Sequence, residues 1–115
     1  MEDRPEIPPG TLYMLILKTL ARRGPTHGYG IAQHIQQVSA DVLHVEEGSL
    51  YPALHRLENR KFLSAEWGPT ETGREAKFYR LTKNGGAQLR TETESWARLT
   101  EIVGMILQHP QGEAS

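Results

Sequence analysis

The sequence has no cysteine, no long apolar run and no excess of basic residues, and each absence excludes a class of protein. Without cysteine, the 115 residues hold no disulfide and no cysteine-bound zinc, which suits a reducing compartment. The best apolar stretch, Leu12 to Leu20, is interrupted by Lys18 and is too short to span a bilayer. The N-terminus is acidic and proline-rich, unlike a signal peptide. We therefore expect a cytoplasmic protein with no membrane partner.

The charge balance limits the partners further. A net charge of -1 argues against a generally basic nucleic-acid binder. The basic residues are unevenly placed, however, because residues 55–80 contain six Lys or Arg and four Glu. Hydrophobic residues make up 37% of the chain and charged residues 23%, which is typical of a folded protein. The length fits one domain with a small core, whose positive charge is concentrated in one segment.

Sequence motifs of catalysis and metal binding are absent. There is no G-x-S-x-G, no P-loop and no dinucleotide-binding fingerprint. The histidines do not show the spacing of a metalloprotease, and His27 and His34, two helical turns apart, suggest no third ligand. We expect neither an enzyme nor a bound metal or cofactor.

The segment from Glu47 to Glu58 predicts a helix with two unlike faces. Leu50, Leu54 and Leu57 recur at helical spacing, which indicates a face turned to the core. The side chains between them are polar or aromatic and face outward: Ser49, Tyr51, His55, Arg56 and Asn59. Such groups donate hydrogen bonds to phosphate oxygens or read base edges in a DNA groove.

The other elements are read from periodicity and turn residues. A first helix is expected from an N-cap at Thr11 to about Arg23, and a second from His27 to near Ala40. Pro52 favours a start of the third helix near Ser49, or else a kinked first turn from further back. Residues 62–67 and 77–81 alternate as strands do, which predicts a two-stranded hairpin with a long flexible loop at 68–76. The fold class is thus mainly α with a small β-hairpin.

A last helix is expected from about residue 87 to residue 108, after an N-cap at Thr82. Its apolar residues form a heptad-like seam that needs a partner surface. The residues predicted to dimerise are Leu89, Trp96, Leu99, Ile102, Val103 and Ile106. Two-fold self-association is the common solution for such a seam.

Three motifs together resemble the PadR family of bacterial transcriptional regulators. They are His27-Gly28-Tyr29, the run from Gly48 to Glu58, and Phe78-Tyr79-Arg80-Leu81-Thr82. The resemblance covers roughly residues 10 to 108. A single C-terminal helix is similar to the short subclass of the family, which includes multidrug-responsive repressors.

This resemblance implies a winged helix-turn-helix at residues 10–82 and a dimerisation helix at 83–108. A mobile arm at 1–9 precedes them and a disordered tail at 109–115 follows. The family binds palindromic double-stranded DNA as a homodimer, usually as a repressor, with the third helix in the major groove and the wing beside it. The residues expected to bind DNA are Tyr29, Ser49, Tyr51, His55, Arg56, Arg74, Lys77 and Arg80.

The resemblance also implies a site for a small aromatic effector. In the multidrug subclass a tryptophan in this region faces its mate across the dimer and stacks flat ligands. The corresponding pocket here would hold Leu12, Met14, Leu15 and Trp96. Alternatively, Trp96 simply packs in the dimer interface, where its large apolar area is useful.

Several residues have a second interpretation that the sequence leaves open. Tyr51 is also suited to the core, and Ser49 to a helix N-cap. Arg56 can instead pair with Glu58 or Glu47 on the surface, and the wing cations Arg74 and Lys77 can be solvated loop charges. At the level of the whole chain, the alternative function is a winged-helix module that contacts proteins and does not bind DNA.

Overall fold

The computed structural model describes residues 5–109, which form four helices and three short strands. In chain order they are α1 (Pro9–Arg23), β1 (Thr26–His27), α2 (Gly28–Val38), α3 (Glu47–Asn59), β2 (Leu63–Pro69), β3 (Glu75–Leu81) and α4 (Lys83–Leu107). The expected mainly α class is confirmed. Most of the predicted tail and the first four residues of the predicted arm lie outside the described residues. From the rest of the arm, Ile7 packs against the core.

Helix α1 lies at the centre of the core and contacts α2, α3, α4 and β3. It begins at Pro9, where the missing N–H of proline costs no helical hydrogen bond, so the predicted N-cap at Thr11 is wrong. The helix ends at Gly24, which has a φ of 78° and donates its N–H to the Leu20 carbonyl at 2.9 Å. Ile16 and Leu17 are fully buried, which explains the wide apolar face of this helix.

The sheet has three antiparallel strands in the order β1-β3-β2, one more than the predicted hairpin. The two residues of β1 pair with β3, with Thr26 opposite Tyr79 and His27 opposite Phe78. The side chain of His27 then caps α2, because its Nδ1 accepts the N–H of Gly30 at 3.1 Å. Strand β1 therefore fixes the start of α2 against the sheet.

Helix α3 begins at Glu47 and contains Pro52 in its second turn, so the earlier of the two predicted starts is correct. Proline removes one helical hydrogen bond and crowds the residue four positions earlier. The crowded group is the backbone carbonyl of Gly48, one residue after the start of the helix. The inward face carries the buried residues Leu50, Ala53, Leu54 and Leu57.

Helix α4 begins after Thr82, whose hydroxyl accepts the N–H of Gly85 at 3.0 Å, as the predicted N-cap requires. Its 25 residues span about 38 Å, so it extends past the rest of a small domain. Gly85 is the one buried residue of α4 within the described chain. The helix is thus held at its first turns and exposes most of its length.

Candidate nucleic-acid interface

The outward face of α3 is polar and open to solvent. Ser49, His55, Arg56 and Asn59 are exposed, and Tyr51 is 45% exposed. Within residues 5–109, no ion pair involves Arg56, because Glu58 pairs with Lys77 instead. Ser49 lies in the first turn rather than at the N-cap, which is Glu46, so its hydroxyl makes no capping bond. These side chains face outward together, as the helical spacing predicted.

Tyr51 connects α3 to the start of α2. A β-carbon on Gly28 would lie only 2.9 Å from both Cε1 and the hydroxyl oxygen of Tyr51, so any larger residue would displace the ring from this position. One edge of the Tyr51 ring therefore packs against α2, and the rest of the ring is exposed to solvent. The close approach gives a physical reason for glycine in the His27-Gly28-Tyr29 motif.

Tyr29 lies on the first turn of α2 and is 66% exposed. Its ring stacks beside that of His27, with centroids 6.5 Å apart, and the His27 ring meets Phe78 edge-on at 5.3 Å. The tyrosine is thus held at the N-terminal end of a helix by an aromatic neighbour. Backbone N–H groups and the helix dipole at this end favour an anion such as phosphate.

The wing is the hairpin of β2 and β3, and its tip at residues 70–74 is a closed turn rather than the long flexible loop that the sequence predicted. Strand β2 ends at Pro69 and β3 begins at Glu75. Between them, Thr70 both donates and accepts hydrogen bonds across the turn. The Thr70 N–H donates to the Arg74 carbonyl at 2.7 Å, and the Arg74 N–H donates to the Thr70 hydroxyl at 3.2 Å. Gly73 supplies the positive φ of 87° that the turn needs. Arg74 is exposed on this ordered tip.

The two other predicted cations of the wing differ from Arg74 in position. Lys77 is half-buried, and its Nζ lies 3.0 Å from Oε1 of Glu58 on α3. Arg80 is exposed on the opposite face of the sheet and lies 3.7 Å from Glu66. Arg80 follows Arg74 by six positions of extended chain, which places them roughly 20 Å apart. The three cations therefore do not form one basic patch.

Charge and burial shift two pKa values at the junction of α3 and the wing. The hydrogen bond to Glu58 raises the pKa of Lys77, although burial opposes this. Burial raises the pKa of Tyr79, which the neighbouring Lys77 charge partly offsets. Lys77 therefore stays protonated and Tyr79 stays neutral at physiological pH.

The predicted effector residues do not form an open pocket in the single chain. Leu12 is buried in the core, while Met14 and Leu15 are partly buried on α1. Trp96 is 46% exposed on α4. A groove of about 420 Å³ lies elsewhere, on the outer face of the sheet near Glu66, Phe78 and Arg80.

The predicted dimerisation residues divide into two groups. Leu89 packs against the core of its own chain. The other predicted residues are exposed: Trp96, Leu99, Ile102, Val103 and Ile106. Met105 and Leu107 add to the exposed apolar surface at the end of α4. The sequence seam thus begins inside the domain and continues onto an uncovered helix face.

Glu58 is a residue of this interface that the sequence interpretation did not include. It lies two helical turns after Tyr51 and therefore on the same flank of α3. Its partner Lys77 is 19 residues away in the sequence. No local sequence pattern could therefore have indicated that the two residues pair.

A helix pair, α2 and α3, followed by a hairpin beside the second helix is the arrangement of a winged helix-turn-helix protein. A family model described as the transcriptional regulator PadR-like family matches residues 16–91. The chain belongs to the PadR-like family of transcriptional regulators, whose members bind DNA and are not enzymes. The family resemblance seen in the sequence motifs is thereby confirmed.

Related proteins are consistent with this membership. Uncharacterized protein X of Lysinibacillus sphaericus is 30% identical over 105 residues, which cover 91% of this chain and 95% of that protein. An uncharacterized 37.1 kDa protein in transposon Tn4556 of Streptomyces fradiae is 44% identical over 87 residues, 76% of this chain but 23% of that protein. The crystal structure of a PadR family transcriptional regulator from Eggerthella lenta matches with a TM-score of 0.76 at 33% identity, covering 88% of this chain and 85% of that chain.

No helix within residues 5–109 is long and apolar enough to cross a membrane. The same range contains no group of three or more His, Asp or Glu side chains arranged to hold a metal ion.

Proposed function

We propose that the chain is a homodimeric repressor that acts in the cytoplasm and binds a palindromic operator through α3 and the wing. The observation that supports this most is the outward face of α3, where Tyr51, His55 and Arg56 are exposed. A winged helix used only for protein contact would favour an apolar face at this position. Arg56, in the last turn of α3, makes no ion pair among residues 5–109, and a free guanidinium on this outward face favours DNA instead.

In the proposed complex, α3 lies in the major groove and its outward face contacts the bases. Arg56 has the geometry for a bidentate contact with guanine, while Ser49 lies near the helix N-terminus, where phosphate is favoured. Tyr29 at the start of α2 donates to a phosphate on one side of the groove. Arg74 reaches the backbone or the minor groove from the wing tip. Arg80 lies on the face of the sheet turned away from α3, at the margin of the proposed DNA-binding surface.

Binding to DNA is tested by fluorescence anisotropy with the duplex immediately upstream of the protein's own gene and with a scrambled duplex. Arg56→Gln is compared with Arg22→Gln, which removes the same charge from the exposed end of α1. Loss of one bidentate base contact weakens operator binding roughly 10- to 100-fold, and the Arg22 variant changes it little. Equal small losses in both variants, or equal binding of both duplexes, contradict base reading by α3.

Dimerisation is proposed for the uncovered face of α4. Trp96, Leu99, Ile102, Val103 and Ile106 present one apolar stripe to solvent, and such a stripe marks a partner surface. Two-fold pairing of these helices would place two copies of α3 about one helical turn of DNA apart. Leu99→Asp is expected to give monomers in sedimentation velocity, whereas Ala97→Asp, on the polar side of α4, is expected to leave dimers. Dimers in both variants contradict this interface.

The effector proposal places a flat aromatic ligand between the protomers, against Trp96 and beside Met14 and Leu15 of α1. A ligand there would shift the separation of the two recognition helices and so release the DNA. Trp67→Phe leaves Trp96 as the sole tryptophan, so its fluorescence reports this site. Ligands that release DNA are expected to quench that fluorescence, and Trp96→Ala is expected to abolish the release. Unchanged release in Trp96→Ala, without quenching, contradicts the site.

A further inference from the structure

Lys77 contacts the recognition helix rather than the solvent around the wing. Its Nζ lies 3.0 Å from Oε1 of Glu58, and the Lys77 and Glu58 side chains are 35% and 31% exposed. The same Nζ lies 5.6 Å from the centroid of the Tyr79 ring. The pair joins the middle of β3 to the C-terminal turn of α3, across 19 residues of sequence.

The position of this ion pair along the wing is informative. On the side of the sheet that faces α3, Leu63 pairs with Leu81, Ala65 with Tyr79, and Trp67 with Lys77. The first two pairs pack against the core, whereas Trp67 is 66% exposed. Apolar packing therefore ends where Lys77 begins to contact Glu58. Among the hydrogen bonds and ion pairs of side chains in residues 5–109, none joins the turn beyond Lys77 to a helix.

We propose that Lys77 is a positioning residue, whose bond to Glu58 fixes the angle between the wing and α3 so that both reach one duplex together. This inference rests on the proposed DNA-binding function. It replaces the prediction that Lys77 binds phosphate directly.

Charge and geometry favour positioning over direct contact. The Glu58 carboxylate balances the Lys77 charge, and a phosphate would have to displace a charge-assisted bond that is already formed. A wing held in place before binding also loses less conformational freedom when it meets DNA. By contrast, the exposed Arg74 at the tip makes no ion pair within the described chain.

The variant Glu58→Gln distinguishes the two roles by the sign of its effect. It removes a negative charge near the DNA and frees Lys77, so a phosphate-binding Lys77 would make the variant bind more tightly. A positioning Lys77 would lose its anchor, and binding would weaken roughly three- to fivefold, as expected for one partly exposed ion pair. Lys77→Gln is expected to weaken binding by a similar factor, while Lys77→Arg, which can keep the pair, is expected to retain most of the affinity.

The salt dependence of binding supplies a matched control. Each phosphate contact contributes a slope of about 0.9 to the plot of log affinity against log salt concentration. Arg74→Gln is expected to reduce the slope by about that amount. Lys77→Gln is expected to leave the slope unchanged although affinity falls. A reduced slope in Lys77→Gln, or tighter binding by Glu58→Gln, overturns the positioning role.

A measurement without DNA separates this inference from the proposed function. Amide order parameters from NMR relaxation are recorded for residues 66–78 in the wild type, Glu58→Gln and Lys77→Gln. Lower order in both variants, with the core amides unchanged, supports the positioning role, and unchanged order overturns it. A third outcome is lower order in both variants together with a wild type that prefers no duplex over another. The ion pair then does hold the wing against α3, but the proposed function is wrong, and with it the role of Lys77 in DNA binding.

Discussion

Gly85 controls how α4 docks on the winged domain, and its replacement by alanine is expected to be unusually damaging. It is the buried residue in the first turn of α4. A β-carbon built there would lie 2.1 Å from the carbonyl oxygen of Phe62 and 2.8 Å from Cδ1 of Leu81. Side-chain β-carbons essentially never approach other heavy atoms within 3.0 Å, and the carbonyl belongs to the backbone. The helix or the α3–β2 connection must therefore move by about 1 Å or more.

The loss of stability expected for Gly85→Ala can be compared with the effect of Gly86→Ala, in the same turn of α4. Overpacking of a well-packed site costs about 1–3 kcal/mol, and displacing Phe62 also strains its hydrogen bond from the Thr82 N–H. At Gly86 a β-carbon meets only Cδ2 of Leu81 at 3.9 Å, so Gly86→Ala is expected to gain up to about 1 kcal/mol of helix propensity. The propensity gain is common to both alanine variants, so overpacking and the strained hydrogen bond should make them differ by roughly 3 kcal/mol in the free energy of unfolding.

Urea denaturation followed by circular dichroism measures this difference, with all proteins at one concentration because association would add to stability. A difference of about 3 kcal/mol corresponds to roughly 12–24 °C in Tm for a domain of this size. Gly85→Ala is also expected to weaken operator binding in its folded fraction, since a displaced α4 changes the separation of the recognition helices. Equal stability of Gly85→Ala and Gly86→Ala would refute the docking of α4 described above.

Two smaller predictions follow from backbone strain and from one histidine. Lys61, just after α3, has a φ of 69°, a conformation that favours glycine. Lys61→Gly is therefore expected to raise the free energy of unfolding by about 0.5–1 kcal/mol in urea titrations. Lys61→Ala keeps the β-carbon and is expected to give no such gain. Burial, with smaller contributions from Arg23 and Arg22, lowers the pKa of His34 from its ordinary value of 6.5. The unfolded chain therefore binds the proton first, and stability falls as the pH drops through 6.5 until the folded His34 also titrates. His34→Gln should flatten the dependence of Tm on pH between about 7.5 and 5.5, and an unchanged profile would contradict this.

The sequence predicted the helices and the outward face of α3 well, because both depend on local spacing. The leucines of α3 are buried and its polar residues exposed, and Thr82 caps α4 as its position suggested. The Pro52 ambiguity was resolved only by the structure, which places the start of α3 at Glu47.

The features that the sequence missed depend on contacts between distant residues. Strand β1 is two residues long and exists only because Tyr79 and Phe78, about 50 positions later, complete its hydrogen bonds. The wing turn is short because Thr70 closes it across to Arg74, which no hydrophobic period reveals. The pairing of Lys77 with Glu58 likewise depends on how the wing folds back on α3, across 19 residues of sequence.

Selection of bound duplexes from a pool of random DNA distinguishes a DNA-reading α3 from one that contacts protein. The full chain is incubated with the pool, and the retained duplexes are sequenced after several rounds. We predict enrichment of an inverted repeat with half-sites about one helical turn apart, which is lost when Arg56→Gln replaces the wild type. Retention of duplexes without a shared sequence, or an enriched motif that Arg56→Gln selects equally well, would contradict sequence-specific recognition by this helix.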